Sequence, residues 1–398
     1  MKAKAPSEQL DDVELWNRED ASELERPTQS KKYRIIVSSR DWTVETIVRQ
    51  VEQGNIDLDP AFQRRNAWRD HRRSRLIESF ILGFPVPQLV LAENPRRRST
   101  FIVIDGKQRL LTIAGLYLLS YRNYWANPRF SGLSVLTDLN GIALDSFLKE
   151  SQYSKDRRQL ANADIRTTVI TGFQDEDVLY DIFYRINTGS VPLSSQELRQ
   201  VLNRGEFAKY ILETTSEPNP LWDVLGIDAP DPRLRDVELL LRLIAWRRFS
   251  KGYRGNMKAF LDGAMKSLNK DWASERSDIE DLTQQLFLAT TTASKIFGKD
   301  VGRKFKDGRY ERSFNRALFE VQAYFFSFPK VRTAATKSKS EVLRAAKELF
   351  EDRPFTSSIE STTKSVENYR TRFTKYQKML QATLGINLPS LEIANQDK

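Results

Sequence analysis

The amino-acid sequence predicts an α+β protein in which a small mixed-sheet N-terminal domain is followed by a mainly helical C-terminal domain. Up to about residue 190, short β-branched runs alternate with apolar residues at helical spacing. From Ser194 onward the helical spacing is almost continuous. The chain has 398 residues, which exceeds the length of one typical core and indicates at least two domains.

Each element of the first part follows from a local pattern. Apolar residues from Val44 to Val51 recur at helical spacing and predict a helix that Gly54 ends. A second amphipathic run ends at Gly83, before a Pro-Val-Pro segment that cannot continue a helix. The predicted strands are residues 33–37, 56–58, 89–92, 101–104 and 165–171, and the predicted helices are residues 43–53, 72–82 and 175–186.

The remaining elements and the domain limits are predicted in the same way. Residues 1–30 carry eight acidic and four basic side chains with little apolar periodicity, which is typical of a flexible tail. We assign residues 31–205 to the sheet-containing domain and residues 206–398 to the helical domain. The helices predicted beyond Ser194 are residues 195–203, 235–249, 278–296, 313–326, 340–350 and 361–384, and a basic helix is expected over residues 303–316.

The segment from Thr100 to Ile113 contains the most specific local signal. An apolar β-branched run ends at Asp105-Gly106, and a helical pattern with Gln108 and Arg109 in its first turn begins directly behind it. Glycine permits a sharp reversal, and the first turn of a helix leaves backbone N–H groups unpaired beside the guanidinium. This arrangement predicts a site for an anion, most plausibly a phosphate. The same residues would also fit an ordinary turn with Arg109 in solvent.

An upstream motif, Phe62-Gln63-Arg64-Arg65-Asn66-Ala67-Trp68, allows two interpretations. Gln63 and Arg64 could line the anion site while Trp68 stacks on a base. Alternatively, Trp68 anchors the hydrophobic core and the arginines are solvated. Composition alone favours the second interpretation for Trp68.

A downstream motif joins two helices between residues 183 and 199. Gly189 is placed as a helix cap after Asn187, and Ser194 or Ser195 is placed as the N-cap of the next helix, with Glu197 completing a capping box. Capping explains these residues fully. It does not explain why Arg185, Asn187 and Arg199 cluster around the same elbow.

The net charge of +10 favours a polyanionic partner. Basic residues gather in the segments Arg64–Arg75, Arg96–Arg98, Arg247–Lys258 and Arg303–Arg316. Solvated charge explains any single cluster, but four clusters favour contact with nucleic acid by at least one of them. The residues that we predict to contact DNA are Arg65, Arg69, Arg72, Arg73, Arg254 and Lys258.

Several classes of protein are excluded by composition. The chain contains no cysteine, which rules out disulfides, thiolate catalysis and cysteine-ligated metal sites. No Walker box is present, so the protein is not a P-loop enzyme. The polar N-terminus does not resemble a signal peptide and no apolar run is long enough to span a bilayer, so a cytoplasmic protein without membrane contact is expected.

Four segments follow each other in a specific order: Phe62-Gln63-Arg64 with Trp68, Leu76–Ser79 with Gly83–Pro87, Ile104–Leu110, and Arg185–Gly189 with Val191–Leu193 and Gln196–Arg199. In this order they resemble one family, the GmrSD-type restriction endonuclease N-terminal domain, considered ParB/sulfiredoxin-like in fold. The similarity extends from about residue 35 to at least residue 265, and includes the run from Tyr253 to Leu261.

The resemblance implies a nucleotide-binding module in DNA-directed phage defence, often one that senses modified DNA. Asp105, Gly106, Gln108 and Arg109 match the family's Asp-Gly-Gln-Gln-Arg box, which is tied to binding and hydrolysis of nucleoside triphosphates. Chemistry then suggests the roles: Arg109 for gripping phosphate, Gly106 for close backbone approach, Asp105 for Mg²⁺ or a water, and Gln108 for positioning that water. Gln63, Arg64, Asn187 and Arg199 match the upstream and downstream parts of the family pattern, and Arg64 would also grip phosphate.

Two departures from the family pattern affect the expected activity. Lys107 replaces the usual first glutamine of the box, where it could contact phosphate or point to solvent, and Leu111 replaces a common threonine. His71 is the one histidine of the chain, so the histidine-rich HNH nuclease half of many relatives cannot be built within it.

Two hypotheses follow from these observations. The chain is either an NTP-hydrolysing DNA sensor that works with a separate nuclease or effector, or a non-enzymatic DNA-binding adaptor that recruits one. The sequence leaves the oligomeric state open, because the apolar spacing of the last helix fits packing within the chain as well as a dimer seam.

Overall fold

The computed structural model describes residues 35–56, 58, 68–94, 97–173, 178, 179, 182, 194–360 and 365–392. The chain divides into two compact units that meet in sequence between Leu202 and Asn203. The predicted acidic tail lies outside the described residues. The architecture is α+β, with a small mixed sheet in the N-terminal unit and a mainly helical C-terminal unit. This confirms the predicted fold class.

The N-terminal unit contains a four-stranded sheet in the order β1-β4-β2-β3. β1 runs antiparallel to β4, β4 runs parallel to β2, and β2 runs antiparallel to β3, so the sheet is mixed. Because β2 and β4 are parallel, the connection between them must cross over, and three helices lie in it. The strands are β1 (Ile36–Thr43), β2 (Leu89–Glu93), β3 (Phe101–Asp105) and β4 (Asp164–Thr171).

Six α-helices accompany this sheet in the described part of the unit, and α1 forms as its sequence predicts. Its N-cap is Thr43, whose hydroxyl oxygen accepts a 3.1 Å hydrogen bond from the backbone N–H of Thr46. Val44, Ile47 and Val51 are buried in the hydrophobic core beside the sheet. The helices are α1 (Val44–Glu52), α2 (Asp70–Ile81), α3 (Lys107–Tyr117), α4 (Leu144–Lys149), α5 (Ser154–Asn162) and α6 (Ser195–Leu202).

Some sequence-predicted elements of this unit are corrected or remain untested. The first strand begins at Ile36 and continues to Thr43, whereas the sequence predicted residues 33–37. β1 is an edge strand with both faces largely exposed, so it lacks the apolar alternation that identifies a strand. Ile56 forms only an isolated bridge to Phe101, and most of the predicted helix 175–186 lies outside the described residues.

A polar stripe on α2 holds the long segment between α3 and α4. Asp70, Ser74 and Glu78 follow each other at intervals of four residues and therefore share one face of the helix. Burial alone would raise the pKa of the Glu78 carboxyl, but its backbone N–H donors outweigh burial and hold that pKa below its usual value. The stripe accepts backbone N–H groups from Ala126 and Asn127 at Asp70, Ser131 at Ser74, and Ser134, Val135 and Leu136 at Glu78.

The C-terminal unit is built from ten helices among the residues that the structure describes. The longest, α11, has 26 residues. No helix in the described ranges is both long and apolar enough to cross a bilayer. The ten are α7 (Glu206–Ser216), α8 (Pro220–Leu225), α9 (Arg235–Phe249), α10 (Met257–Lys270), α11 (Trp272–Phe297), α12 (Arg316–Phe326), α13 (Pro329–Lys337), α14 (Lys339–Leu349), α15 (Arg353–Glu360) and α16 (Val366–Leu384).

The basic helix expected over residues 303–316 is wrong. This segment forms a hairpin of β5 (Phe305–Lys306) and β6 (Arg309–Tyr310), and α12 begins only at Arg316. The two turn residues, Asp307 and Gly308, have φ angles of 50° and 76°. Positive φ at both central positions is the geometry that tight hairpins require and that a helix excludes.

Candidate functional site

The turn between β3 and α3 has a backbone that only glycine fits. Gly106 is the N-cap residue of α3, with φ 96° and ψ 11°, in the left-handed region. A Cβ atom at this position would lie 2.3 Å from Cδ2 of Leu89 and 3.1 Å from Nη2 of Arg109. Both the backbone angle and the space beside it therefore demand glycine, as the sequence predicted for a sharp turn.

We expect Gly106→Ala to destabilise the protein more than a matched glycine substitution elsewhere in the same unit. Gly141 has φ 83°, but a Cβ added there would meet no atom within 4 Å, so Gly141→Ala tests the backbone angle alone. The positive φ angle should lower the free energy of unfolding of either alanine variant by about 1–2 kcal/mol. Overpacking against Leu89 should add about 1–3 kcal/mol at Gly106. Denaturant unfolding measures the loss of stability in each of the two variants. An equal loss in Gly106→Ala and Gly141→Ala would contradict this account of the turn.

The first turn of α3 presents backbone donors at the end of the sheet. The first N–H that bonds within the helix belongs to Leu110, which donates to the carbonyl of Gly106 at 3.0 Å. Glycine has no side chain with which to cap the N–H groups of the first turn, and no side-chain cap is present. The helix dipole adds partial positive charge at this end. The turn therefore offers a local environment that favours a negatively charged group.

Arg109 is held at this turn by two acceptors. Its Nη2 atom lies 2.7 Å from Oδ2 of Asp105 and donates to the main-chain oxygen of Gln88 at 3.0 Å. The side chains of Arg109 and Asp105 are 12% and 23% exposed, respectively. Nε of Arg109 is buried and has no hydrogen-bond partner among the described residues. The guanidinium is thus fixed in direction while retaining donor capacity, which an anion could use.

Gln108 and Lys107 complete the first turn of α3, and both are partly exposed. The main-chain oxygen of Gln108 accepts the hydroxyl of Thr112 at 2.7 Å, whereas its side-chain Oε1 is buried without a partner in the described part of the chain. A buried carbonyl oxygen without a donor is costly and invites a water or a ligand donor. The structure therefore places five predicted residues at this turn: Asp105, Gly106, Lys107, Gln108 and Arg109.

The downstream elbow contains the predicted capping box. The N–H of Ser194 donates to Oε2 of Glu197 at 2.6 Å, and the N–H of Glu197 donates to Oγ of Ser194 at 3.1 Å. Arg199 is completely buried on α6, where its Nη1 donates to Oε1 of Gln196 at 2.5 Å. Asn187, the other predicted residue of this elbow, lies outside the described residues.

The upstream motif is described only from Trp68 onward. Gln63, Arg64 and Arg65 lie outside the described residues. Trp68 is half-buried against the hydrophobic core, and the guanidinium carbon of Arg72 lies 4.5 Å from the centre of its ring. Trp68 therefore anchors the core and also supports an exposed arginine through a cation–π contact.

The predicted DNA-contacting residues of the N-terminal unit differ in exposure. Arg69 and Arg72 are exposed at the start of α2. Arg73 is only 1% exposed and pairs with Asp70 at 2.6 Å, so its assignment as a DNA contact is wrong. Burial lowers the pKa of Arg73 despite the charge of Asp70, because burial disfavours the charged guanidinium. Periodicity could have placed Arg73 on the buried side of α2, next to Ile77.

The C-terminal unit contains the other two predicted DNA contacts. Arg254 is exposed, and its Nη1 donates to the main-chain oxygens of Lys251 and Tyr253. The Lys258 side chain is 15% exposed and its ammonium lies 3.2 Å from Oδ2 of Asp262. This ion pair within α10 leaves Lys258 only partly exposed, and its assignment as a DNA contact stays a prediction.

Two residues at the turn were missed by the sequence reasoning. Gln88 precedes β2 and supplies an acceptor for Arg109, and Thr168 of β4 bonds to the Gln88 side chain. They meet because β2 and β4 are parallel neighbours, although 80 residues separate them. No local pattern in the sequence signals such a contact.

Comparison with known proteins gives a family match for the N-terminal unit. Residues 44–202 match a family model described as GmrSD restriction endonuclease, N-terminal domain. The matched range extends from the first residue of α1 to the last residue of α6 and includes the turn at Gly106. Neither the curated proteins nor the solved structures gave a match.

Proposed function

We propose that this chain, whose residues 44–202 match the GmrSD restriction endonuclease N-terminal domain family, is a nucleotide-binding subunit of a restriction-type anti-phage defence system. In this proposal it hydrolyses a nucleoside triphosphate and senses DNA, including modified DNA, in a bacterial cytoplasm. The family match supports the assignment of the chain to a restriction-type defence system. The nucleotide and DNA activities are argued below from the side chains.

One observation supports nucleotide binding more than any other: the Gly106 turn combines a helix N-terminus with a fixed arginine. Backbone N–H groups at a helix start and a guanidinium are the two groups that proteins use most often to hold phosphate. Leu89 and Arg109 fill the space beside the Cα atom of Gly106, so a phosphate would instead meet the backbone N–H groups of the first turn of α3. We assign this position to the phosphates of the nucleotide.

The side chains around the turn suggest how hydrolysis would proceed. Arg109 would stabilise negative charge as it builds on the transferred phosphoryl group. Oε1 of Gln108 is a buried acceptor without a donor among the described residues, so it would accept a hydrogen bond from the attacking water and orient it. Lys107 would add a positive charge where relatives carry glutamine. Catalysis would rest on positioning and electrostatics rather than on covalent chemistry.

Asp105 is the residue that would hold Mg²⁺. No cluster of three or more metal-ligating side chains occurs among the described residues. A single carboxylate still suits Mg²⁺, which is usually bound through one or two carboxylates together with substrate phosphates and water. When bound with a triphosphate, Mg²⁺ neutralises charge on the phosphate oxygens. Oδ2 of Asp105 bonds to Arg109, so Oδ1 is the atom that we assign to the ion.

DNA contact is assigned to the exposed arginines at the start of α2. Arg69 and Arg72 lie one turn apart, and Trp68 fixes the direction of Arg72. We group Arg65 with them from its place in the sequence. In the C-terminal unit, Arg254 is exposed. Contacts of this kind are dominated by phosphate charge, so binding should weaken steeply as salt rises.

Cleavage of DNA is assigned to a separate partner protein. An HNH centre needs several histidines, and the chain has His71 alone. The chain would therefore report nucleotide state and DNA contact to a nuclease or effector that carries the cutting site.

The experiment that tests this proposal is phosphate release by the purified protein. ATP, GTP and CTP are each supplied with Mg²⁺, with and without DNA, and nucleotide binding is followed in parallel by calorimetry. We expect turnover of at least one nucleotide, with a higher rate when DNA is present. DNA affinity is measured at two salt concentrations, and we expect it to fall by about 10³-fold or more between 50 and 200 mM salt if six or more phosphates are contacted.

The alternative is a non-enzymatic DNA-binding adaptor. Its supporting observation is that Asp105 already neutralises Arg109, which leaves less charge for a triphosphate. Absence of both turnover and nucleotide binding, together with salt-dependent DNA binding, would replace our proposal with this one. DNA affinity that barely changes with salt would contradict phosphate-based DNA contact in either version.

A further inference from the structure

We infer that Gln88 is a further residue of the nucleotide site, and that Thr168 positions it. This inference rests on the proposed function. The main-chain oxygen of Gln88 would keep Arg109 in place, and its side-chain amide would donate to an acceptor oxygen of the bound nucleotide.

The strand register places Gln88 and Thr168 beside the Gly106 turn. Val90 of β2 pairs with Asp105 of β3 on one side and with Thr168 of β4 on the other. These three residues therefore form one row across the sheet, at a point where the register between β2 and β3 shifts between Val90 and Leu91. Gln88 stands two residues before Val90, at the same end of the sheet as Gly106.

Two hydrogen bonds give Gln88 separate tasks for its main chain and its side chain. The main-chain oxygen accepts Nη2 of Arg109 at 3.0 Å. The side-chain Oε1 accepts the hydroxyl of Thr168 at 3.2 Å. The first bond persists whatever side chain stands at position 88, whereas the second depends on the amide. A substitution of Gln88 can thus remove the side chain's role without releasing Arg109.

The amide of Gln88 is placed to act as a donor. Gln88 is exposed, and its Nε2 has no hydrogen-bond partner among the described residues. Because Oε1 is engaged by Thr168, the free part of the amide is the NH₂ group with two donors. Such a group selects for an acceptor oxygen, which a phosphate, a ribose or a base carbonyl could each supply. The main-chain oxygen of the same residue contacts the arginine that we assign to the phosphates.

The test is a set of affinities and rates for Gln88→Ala, Gln88→Glu and Thr168→Val. We expect Gln88→Ala to raise Kd and KM for Mg²⁺–ATP or Mg²⁺–GTP by about tenfold, as for one hydrogen bond to a charged acceptor, with kcat changed much less. Gln88→Glu should weaken binding further, because a carboxylate repels phosphate. Thr168→Val keeps the shape of the side chain but removes the hydroxyl, so its effect should be smaller.

A double-mutant cycle separates positioning from damage to the sheet. If Thr168 acts through Gln88, then Thr168→Val should have no further effect in the Gln88→Ala background. Thr171→Val, which alters the same strand away from Gln88, is the matched control and should bind nucleotide like the wild type. Fully additive effects of the two substitutions would overturn the positioning role of Thr168.

Binding of inorganic triphosphate with Mg²⁺ shows which oxygen of the nucleotide accepts the hydrogen bond from Nε2 of Gln88. A Gln88→Ala effect that persists with triphosphate assigns the contact to phosphate, and an effect confined to nucleotides assigns it to the ribose or base. Wild-type affinity in Gln88→Ala and Gln88→Glu, with binding lost in Arg109→Ala, would overturn this inference while the proposed function stands. Absence of nucleotide binding by the wild type would instead reject the proposed function, and this inference with it.

Discussion

Arg109→Ala is expected to lower phosphate release by at least about 100-fold, because it removes the guanidinium that we assign to the developing phosphoryl charge. The substitution also deprives Asp105 of its partner at 2.7 Å. The loss is local, and the free energy of unfolding should fall by about 1.5–3 kcal/mol, as for hydrogen bonds that involve a charged group. The variant should therefore remain folded, which circular dichroism and thermal unfolding would check.

Two control variants, Arg109→Lys and Arg98→Ala, test whether the lost phosphate release is specific to the guanidinium of Arg109. Lysine keeps a positive charge but lacks the planar fork, so we expect Arg109→Lys to recover only a small part of the rate. Arg98 is exposed, and its replacement removes one positive charge of the same unit without touching the turn. Arg98→Ala should turn over nucleotide like the wild type. Comparable turnover in Arg109→Ala and Arg98→Ala would remove Arg109 from the proposed site.

The Gly106 turn shows how far local sequence can predict a site. A β-branched run, an Asp-Gly pair and a helical pattern are all local signals, and each demands its structure regardless of the rest of the fold. The turn, its glycine and the first-turn position of Arg109 were therefore predicted from sequence. The ion pair between Arg109 and Asp105 is also local, since the two residues stand four apart across the start of α3.

The contacts that the sequence did not predict depend on the tertiary fold. Gln88 and Thr168 come together only because β2 and β4 are parallel neighbours. Arg73 looked like part of a basic cluster, but the packing of α2 turns it toward Trp125, whose ring centre lies 5.8 Å from the guanidinium carbon. Charge composition says how many arginines a segment has and says nothing about which of them face the core.

The prediction of a basic helix over residues 303–316 was wrong for a different reason. Its charges suggested an extended basic helix, but the Asp307-Gly308 pair is itself a strong local signal for a two-residue hairpin turn. The Asp-Gly pair is a more specific signal than the positive charge of the segment, and it indicates a hairpin rather than a helix. The hairpin also has a cation–π contact that no pattern predicts, with Nζ of Lys347 lying 4.8 Å from the ring centre of Phe305.

The C-terminal unit contains a buried charged network centred on Glu320. Oε1 of Glu320 lies 3.1 Å from Nη1 of Arg242, and Oε2 accepts the hydroxyl of Tyr369 at 2.9 Å. Nη2 of Arg372 lies 3.6 Å from Oε2. Arg242 also pairs with Glu238 at 2.6 Å. The charged side chains are all at most 4% exposed, so the carboxylate of Glu320 compensates positive charge that water cannot reach.

Glu320→Ala is expected to reduce the free energy of unfolding of the helical unit by about 3–5 kcal/mol. The substitution leaves the guanidinium groups of Arg242 and Arg372 with less compensation, and it removes the acceptor of the Tyr369 hydroxyl. Glu320→Gln keeps an acceptor oxygen of the same shape, so its loss should be smaller. Because the chain has two units, hydrogen exchange of peptides from α9, α12 and α16 is the appropriate local measurement.

Glu280→Ala is the matched control for burial. Glu280 pairs with Arg276 at 2.8 Å, but the two side chains are 43% and 64% exposed. An exposed pair of this kind contributes little to the free energy of unfolding, since water and salt screen it. Protection of α12 should therefore collapse in Glu320→Ala and persist in Glu280→Ala. Equal protection in the two variants would mean that the positive charges around Glu320 are compensated elsewhere, and that the network is not what holds α9, α12 and α16 together.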